Sequence, residues 1–293
     1  MNENIVLGAD IGGSHITASL VDIHNRQILS STICRKDVNS GGSADSIIGE
    51  WSEVIKNCFA KLGIKDQKIG IAMPGPVDYD LGLCYIKGQN KYESLYGANL
   101  KELLAEVLSM SSGDIRMIND AAGFLSGEMF IGAGRGFKKV IGLTLGTGLG
   151  SALYENGITI DADLWHTPYL DGKAEDYISA PWLLSAAAKS TGNQFENVRQ
   201  IADQAAEDNR LQQVFDKFGN NLGGFLASFI QQQQPELVVL GGNVAKAHPL
   251  FCQAMEKRLQ KEKLQTPVRI AQIGEAAALV GAAALWEGRV LSF

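Results

Sequence analysis

VLGADIGGSHITASLVD, residues Val6–Asp22, sets two runs of strand-forming residues on either side of a Gly-Gly turn, with the carboxylate of Asp10 just before it. Glycines let an anion approach bare backbone N–H groups, so such a turn suits a phosphate. It carries no lysine and matches neither G-x-x-x-x-G-K-[ST] nor G-x-G-x-x-G, and the residues after the glycines read as strand instead of helix. A carboxylate beside a phosphate repels it unless a cation intervenes. Mg²⁺ resolves the conflict, because it keeps several waters and takes only one or two protein carboxylates, so Asp10 is chemically sufficient. The competing reading is a glycine-rich β-hairpin that holds nothing.

The rest of the chain is read outward from that unit. Sliding the sequence by 134 positions lays Gly8-Ala9-Asp10-Ile11-Gly12-Gly13-Ser14 on Gly142-Leu143-Thr144-Leu145-Gly146-Thr147-Gly148, with apolar strands on both sides of both turns. The strand-turn-strand unit thus occurs twice, and two such turns could grip one phosphate chain from both sides with backbone donors. Between them, Ser43 reads as the N-cap of an amphipathic helix whose Ile47, Trp51, Val54, Ile55, Cys58, Phe59 and Leu62 recur at three and four. The strand IGIAMPG, a polar loop through Asn90, a helix from about Asn99, the strand DIRMIND and a helix from about Ala121 to Phe130 follow. After the second unit come a polar loop through Asp176, a helix near 211–233, the strand ELVVLGGN, a helix after Pro249, the strand VRIAQ and an Ala-rich helix from about Glu275.

Composition narrows the function classes. At 293 residues and 45% hydrophobic content the chain is expected to form an ordinary globular protein of about two domains. A net charge of −6 argues against a general polyanion binder, so no nucleic acid is expected as partner. Cys34, Cys58, Cys84 and Cys252 lie far apart with no C-x-x-C pair, so neither a zinc knuckle nor a disulfide framework is indicated, and a reducing cytoplasm fits. No leader and no apolar run near the ~18 residues of a membrane span is evident, which predicts a soluble protein without membrane association.

The chemistry-bearing residues cluster at strand ends. Leu145-Gly146-Thr147-Gly148-Leu149-Gly150 offers successive N–H groups and a hydroxyl; Gly241-Gly242-Asn243 ends a strong strand where ligands approach an open α/β sheet. Asn119-Asp120 sits where a strand passes into a helix, and helix N-terminal N–H groups favour the ionised carboxylate a general base requires. The alternative for Asp120 is an ordinary N-cap. The loop ADLWHTPYLDGKAEDYIS combines Asp163, His166, Asp171, Glu175 and Asp176 with Trp165, Tyr169 and Tyr177, the mixture of paired hydrogen-bonding groups and rings that carbohydrate sites need. Asp171 and Asp176 read as a solvated acidic surface, and one histidine among carboxylates is thin support for zinc.

Taken together, the sequence resembles the ROK family of sugar kinases and sugar-responsive repressors, in the superfamily of hexokinase, actin and the Hsp70 ATPase domain. The likeness runs through Leu7–Thr17, Met73-Pro74-Gly75-Pro76, Asn119-Asp120-Ala121 with Gly127-Glu128, Leu145–Gly150 and Val239–Asn243, in family order. It implies an α/β fold of two related actin/hexokinase-like (ribonuclease H-like) domains around a nucleotide cleft. The expected domains are a small one over 1–118, with the C-terminal helix 278–293 packing back on it, and a large one over 119–277. The resemblance further implies ATP-dependent phosphorylation of a hexose hydroxyl, usually the 6-OH, by a cytoplasmic homodimer. Asp120 would be the base, and Asn119, Gly75, His166, Glu175 and Asp163 would meet the sugar. Asp10 would position Mg-ATP, Gly12, Gly13, Ser14, Gly146, Thr147 and Gly148 would meet phosphates, and Gly241, Gly242 and Asn243 would lie near adenosine.

One loop departs from the family pattern. Where G-E-x-G-H is usual this chain has Ala162-Asp163-Leu164-Trp165-His166, and the cysteine zinc motif is replaced by Gly172-Lys173-Ala174-Glu175-Asp176-Tyr177, so no structural zinc is expected. The shorter Asp163 and bulkier Trp165 leave the sugar open between glucose, an N-acetylhexosamine and another hexose. The other class weighed is a sugar-sensing regulator; such relatives carry a helix-turn-helix before the first strand, where this chain begins directly.

Overall fold

Two glycine turns with strands on both sides predict two sheets, and the described residues form two large ones, of six and five strands, beside two small two-stranded pairs. The computed structural model describes residues 4–64 and 67–287, which fall into two compact units, the described parts of 1–135 with 275–293 and of 136–274. In the first unit, β1 (Ile5–Ile11) and β2 (His15–Asp22) form the antiparallel hairpin around the Gly12-Gly13 turn. The short β3 (Gln27–Ile28) and β4 (Cys34–Asp37) pair with β2. Helix α1 (Ala44–Ala60) starts at Ser43, whose side chain accepts the Ser46 N–H, and buries Ile47, Trp51, Ile55 and Cys58 on one face. Each large aliphatic side chain so buried stabilises the unit by roughly 1.5–3 kcal/mol.

Strand β5 (Ile69–Met73) then adds parallel to β1. The chain continues through β6 (Val77–Asp78), β7 (Leu83–Cys84) and α2 (Leu100–Leu108), which Asn99 caps, to β8 (Ile115–Asn119), parallel to β5. Helix α3 (Asp120–Ile131) follows β8 without a break.

The second unit repeats this plan. Its strands are β9 (Lys139–Leu145), β10 (Leu149–Glu155) and β11 (Ile158–Asp161), then the small pair β12 (Pro168–Tyr169) and β13 (Gly172–Lys173). Helices α4 (Ala180–Thr191), α5 (Val198–Gln204) and α6 (Asn209–Gln233) precede β14 (Leu237–Gly241), α7 (His248–Lys261) and β15 (Val268–Ile270). The sheet orders β3-β2-β1-β5-β8 and β11-β10-β9-β14-β15 are the same arrangement: an antiparallel meander continued by two parallel strands. The 134-residue offset carries Ile5–Ile11 onto Lys139–Leu145, and both strands show one burial pattern in which only the first residue and the sixth, Asp10 or Thr144, are part-exposed. The first turn has one residue more, since Ile11 pairs with Ile16 whereas Leu145 pairs with Leu149.

Strand β11 and the β12-β13 pair occupy what reads in sequence as a polar loop. Ile158 and Ile160 are both exposed, so β11 lacks the buried-exposed alternation that marks a strand.

The last described element, α8 (Ala277–Ala284), belongs to the first unit and packs on α3, β1 and β5. Helix α3 is buried on nearly every side, with apolar residues and glycines around most of its girth and Glu128 buried among them. The contact is close because glycines line it: a Cβ on Gly127 would strike the Ala277 carbonyl, one on Gly281 the Gly123 carbonyl, and one on Gly70 the Ala282 carbonyl. Packing of α3 on α8 extends the first unit to Arg135, past the division expected at residue 118. Residues 288–293 of the expected helix 278–293 lie outside the described residues.

Candidate functional site

In the first unit the predicted residues gather at the C-terminal ends of three adjacent parallel strands, where an open α/β sheet meets its ligands. Asp10 ends β1, Gly75 follows β5, and Asn119-Asp120 joins β8 to α3. At that junction the two side chains divide their duties. Asn119 is the N-cap: its Oδ1 accepts the N–H groups of Ala121 (2.8 Å) and Ala122 (3.1 Å), and its Nδ2 donates to the Tyr79 hydroxyl (3.4 Å). Asp120, released from capping, accepts the Ala121 N–H at 2.9 Å.

The two carboxylates influence one another. Burial pushes the Asp10 carboxyl up to about 7, the nearby Asp120 adds to that rise, and the Arg35 guanidinium opposes it. Burial likewise raises Asp120, while the Ala121 N–H and the positive charge of Lys91 pull it back toward the usual carboxylate range. Among the described residues no group of three or more His, Cys, Asp or Glu is placed to hold a metal ion. Mg²⁺ needs no such cage, and an Asp10 raised by burial and by a second carboxylate is the donor that a hydrated divalent cation would restore to its charged form.

The glycine turns leave the same donors open in both units. Gly12 donates its N–H to the His15 carbonyl (2.9 Å) and Gly146 donates to Gly148 (3.0 Å), so these two amides close their own turns. Among the backbone hydrogen bonds of the described residues, the N–H groups of Gly13 and Ser14 in the first, and of Thr147 and Gly148 in the second, are not used by the turns. The 134-residue offset relates these pairs, 13 to 147 and 14 to 148.

In the second unit, Gly241-Gly242-Asn243 ends β14 beside β9. Gly242 has φ +83°, and a Cβ there would run into the Leu145 backbone, so the turn lies directly against the start of Leu145–Gly150. Glu175 reaches the same turn, its Oε2 accepting the Leu149 N–H at 3.0 Å and its Oε1 lying 3.5 Å from the Lys173 Nζ. Asp163 and His166 are brought together on the loop, with 3.8 Å between Oδ2 and Nδ1 and both side chains more than half exposed.

Trp165 takes part of this loop for itself. Its Nε1 donates to Asp163 Oδ1 at 2.8 Å, its ring meets the His166 ring edge-on, and the Lys173 ammonium lies 4.4 Å from its centre. Asp171 accepts the Tyr177 hydroxyl and Asp176 the Lys173 N–H, so these two carboxylates brace the loop.

Residues the motifs did not mark also bear on the site. The Tyr79 hydroxyl donates to the Met73 carbonyl (3.0 Å) and accepts from Asn119, Gln89 Nε2 donates to the Gly75 carbonyl (3.3 Å), and Tyr92 donates its hydroxyl proton to the Gly12 carbonyl. They lie in polar stretches of no period; Tyr79 and Tyr92 stand out there only as aromatic residues, and Gln89 not at all.

Comparison with known proteins bears on the whole chain. The model of the ROK family matches residues 6–163 and 172–289, leaving out the segment that holds Trp165 and His166. An N-acetylgalactosamine kinase of Shewanella sp. strain ANA-3 is 23% identical over 312 residues, covering 96% of each chain. A glucokinase of Thermotoga maritima is 22% identical, covering 97% of this chain and 98% of its own. Among solved structures, a ROK family glucokinase of Streptomyces griseus in complex with glucose and AMPPNP superposes with a TM-score of 0.78 at 23% identity, covering 96% of this chain and 98% of that one.

Proposed function

Since the chain belongs to the ROK family, we propose that it is an ATP-dependent sugar kinase that phosphorylates a hexose hydroxyl, the 6-OH of glucose or a related sugar. The observation that carries this reading is Asp120: a raised carboxylate freed from capping by Asn119 and set at the end of β8, near Asp10. Asp120 accepts the proton of the sugar hydroxyl as that oxygen forms its bond to the γ-phosphorus of ATP and the bond to the departing ADP breaks. Its raised pKa makes it a stronger base than a free carboxylate, and the Ala121 N–H in the first turn of α3 favours its ionised form.

Phosphoryl transfer leaves little covalent work to the protein, so alignment and charge stabilisation dominate. The unused N–H groups of Gly13, Ser14, Thr147 and Gly148 bind phosphate oxygens, and Gly12 and Gly146 let them approach. Asp10 would hold Mg²⁺, whose charge would offset that of the phosphates. Gly241, Gly242 and Asn243 accept the adenosine. On the sugar, Asn119, Gly75, His166 and Glu175 are the contacts, and Asp163 acts through the arrangement it shares with Trp165 and His166.

An N-acetylhexosamine is the second substrate reading, favoured by the Shewanella relative. A coupled ADP-release assay with Mg-ATP against glucose, mannose, fructose, allose and the N-acetylated hexosamines decides between them. Turnover with one of these sugars is expected; tight sugar binding with no ADP formed across the panel would overturn the kinase in favour of a sugar-sensing protein.

A further inference from the structure

The Gly12-Gly13 turn carries a carboxylate and no cation of its own, yet the fold brings one to it. The loop 88–95 doubles back with Gly88, Asn90 and Tyr92 all at positive φ (70°, 56° and 57°). Three anchors hold it there. Tyr92 N–H donates to the Ser40 carbonyl (2.7 Å), its hydroxyl donates to the Gly12 carbonyl, and its fully buried ring stands edge-on to Trp51 with centroids 5.4 Å apart. Asn90 N–H donates to Glu93 Oε1 (3.1 Å), and Gln89 ties the loop to the Gly75 carbonyl. Lys91, between these anchors, lays its stem along Gly13: its Cδ is 3.5 Å from where a Cβ of Gly13 would stand. No carboxylate lies within 4 Å of the Lys91 ammonium among the described residues.

We propose that Lys91 is the phosphate-binding lysine of this site, its ammonium donating to the transferring phosphoryl group between the Gly13 turn and Asp120; this rests on the phosphotransferase reading above. The chemistry requires such a charge. When ionised, Asp10 and Asp120 repel the phosphate oxygens, and Arg35 on β4, whose charge also reaches Asp10, is directed to Thr17 (3.5 Å). Lys91 is already felt at Asp120, where its charge favours the ionised form. Tyr92 supplies the rigidity that a lysine on a loop lacks: buried, and bonded to the turn itself, it fixes the backbone from which Lys91 reaches. In phosphate loops that open a helix, the lysine lies in the loop's own sequence. Here it comes from a loop packed onto a hairpin.

The test uses the full chain and K91Q, with K91R as the conservative variant. The readouts are steady-state kinetics with the best sugar of the panel, equilibrium binding of AMPPNP and ADP, and melting temperature. K91Q is expected to lower kcat on the order of 10²-fold, as loss of one donor to a developing charge does. It should also lose the preference for AMPPNP over ADP while keeping sugar KM and melting temperature, and K91R should restore part of both. The acid limb of the kcat/KM profile should move to higher pH in K91Q, because Asp120 then faces Asp10 without the ammonium; the loss of AMPPNP preference is the readout that a Lys91 acting only on Asp120 would not produce. K91Q with kcat within about threefold of the parent and an unchanged AMPPNP-to-ADP ratio overturns the proposal. If the parent forms no ADP with any sugar, the kinase reading fails and the AMPPNP-to-ADP ratio alone decides for or against Lys91.

Discussion

At the junction of β8 and α3, Asn119 caps the helix and Asp120 does not; the dipeptide alone does not say which residue takes which part. On the proposed mechanism D120N should leave sugar binding within a few-fold of the parent, by calorimetry, and lower kcat by about 10²- to 10⁴-fold. Full activity in that variant would remove Asp120 from the mechanism. Asp10 supports a second prediction, about stability. Its folded pKa of about 7 lies above its ordinary 3.8, so the folded protein holds a proton that the unfolded chain releases. Stability therefore falls as pH rises from about 4 through 7, by on the order of 4 kcal/mol once Asp10 is ionised. D10N removes that cost. Without ligands its melting temperature should exceed the parent's at pH 8, with the gap closing toward pH 4.5, even as phosphoryl transfer is lost. A pH-independent gap would show that Asp10 is not raised. Asp10, Asp120 and the glycines are legible in the sequence because each sits at the end of a strongly patterned strand. Lys91 and Tyr92 are not, because no period marks a loop side chain that becomes important only through what it packs against.

Among the elements, the helices and parallel strands follow from local pattern. Helix α1 obeys its three-and-four spacing and its Ser43 cap, and β5, β9 and β14 are short apolar runs closed by Pro-Gly or glycine turns. What pattern does not reveal is how closely elements approach. The α3-α8 contact is built on glycines, and Gly281→Ala should cost about 1–3 kcal/mol as the new methyl meets the Gly123 backbone. Gly49→Ala is the matched control: it lies exposed in α1 with nothing within 4 Å of a Cβ, and should stabilise by about 0.5–1 kcal/mol. Urea midpoints moving in opposite directions would bear this out; equal loss in both would remove the close-packing account. Strand β11 escaped the pattern for the complementary reason: an edge strand of four residues with both isoleucines exposed has no buried face to impose alternation.

At the scale of the whole molecule, one strand plan used twice yields two sheets of the same order, and each places a glycine turn with two unused amides at the end of its central strand. A protein that binds nucleotide and sugar in its native state alone is stabilised by both. Mg-AMPPNP or the preferred sugar at 100 times its Kd should each add about 2.7 kcal/mol, seen as a higher melting temperature. A DNA duplex at 150 mM salt should add none, since the chain carries a net −6 charge. No described helix is long and apolar enough to cross a membrane. The sequence by itself determined the duplicated strand-turn-strand unit, the parallel strands and the Asn-Asp junction, because hydrophobic periodicity and turn chemistry are written residue by residue along one segment. Only the tertiary structure decided that Asn119 caps while Asp120 does not, that Glu175 accepts from the second glycine turn, and that a lysine 78 positions after Gly13 lies along it. Those meetings depend on register and packing between distant segments, and no local pattern encodes them.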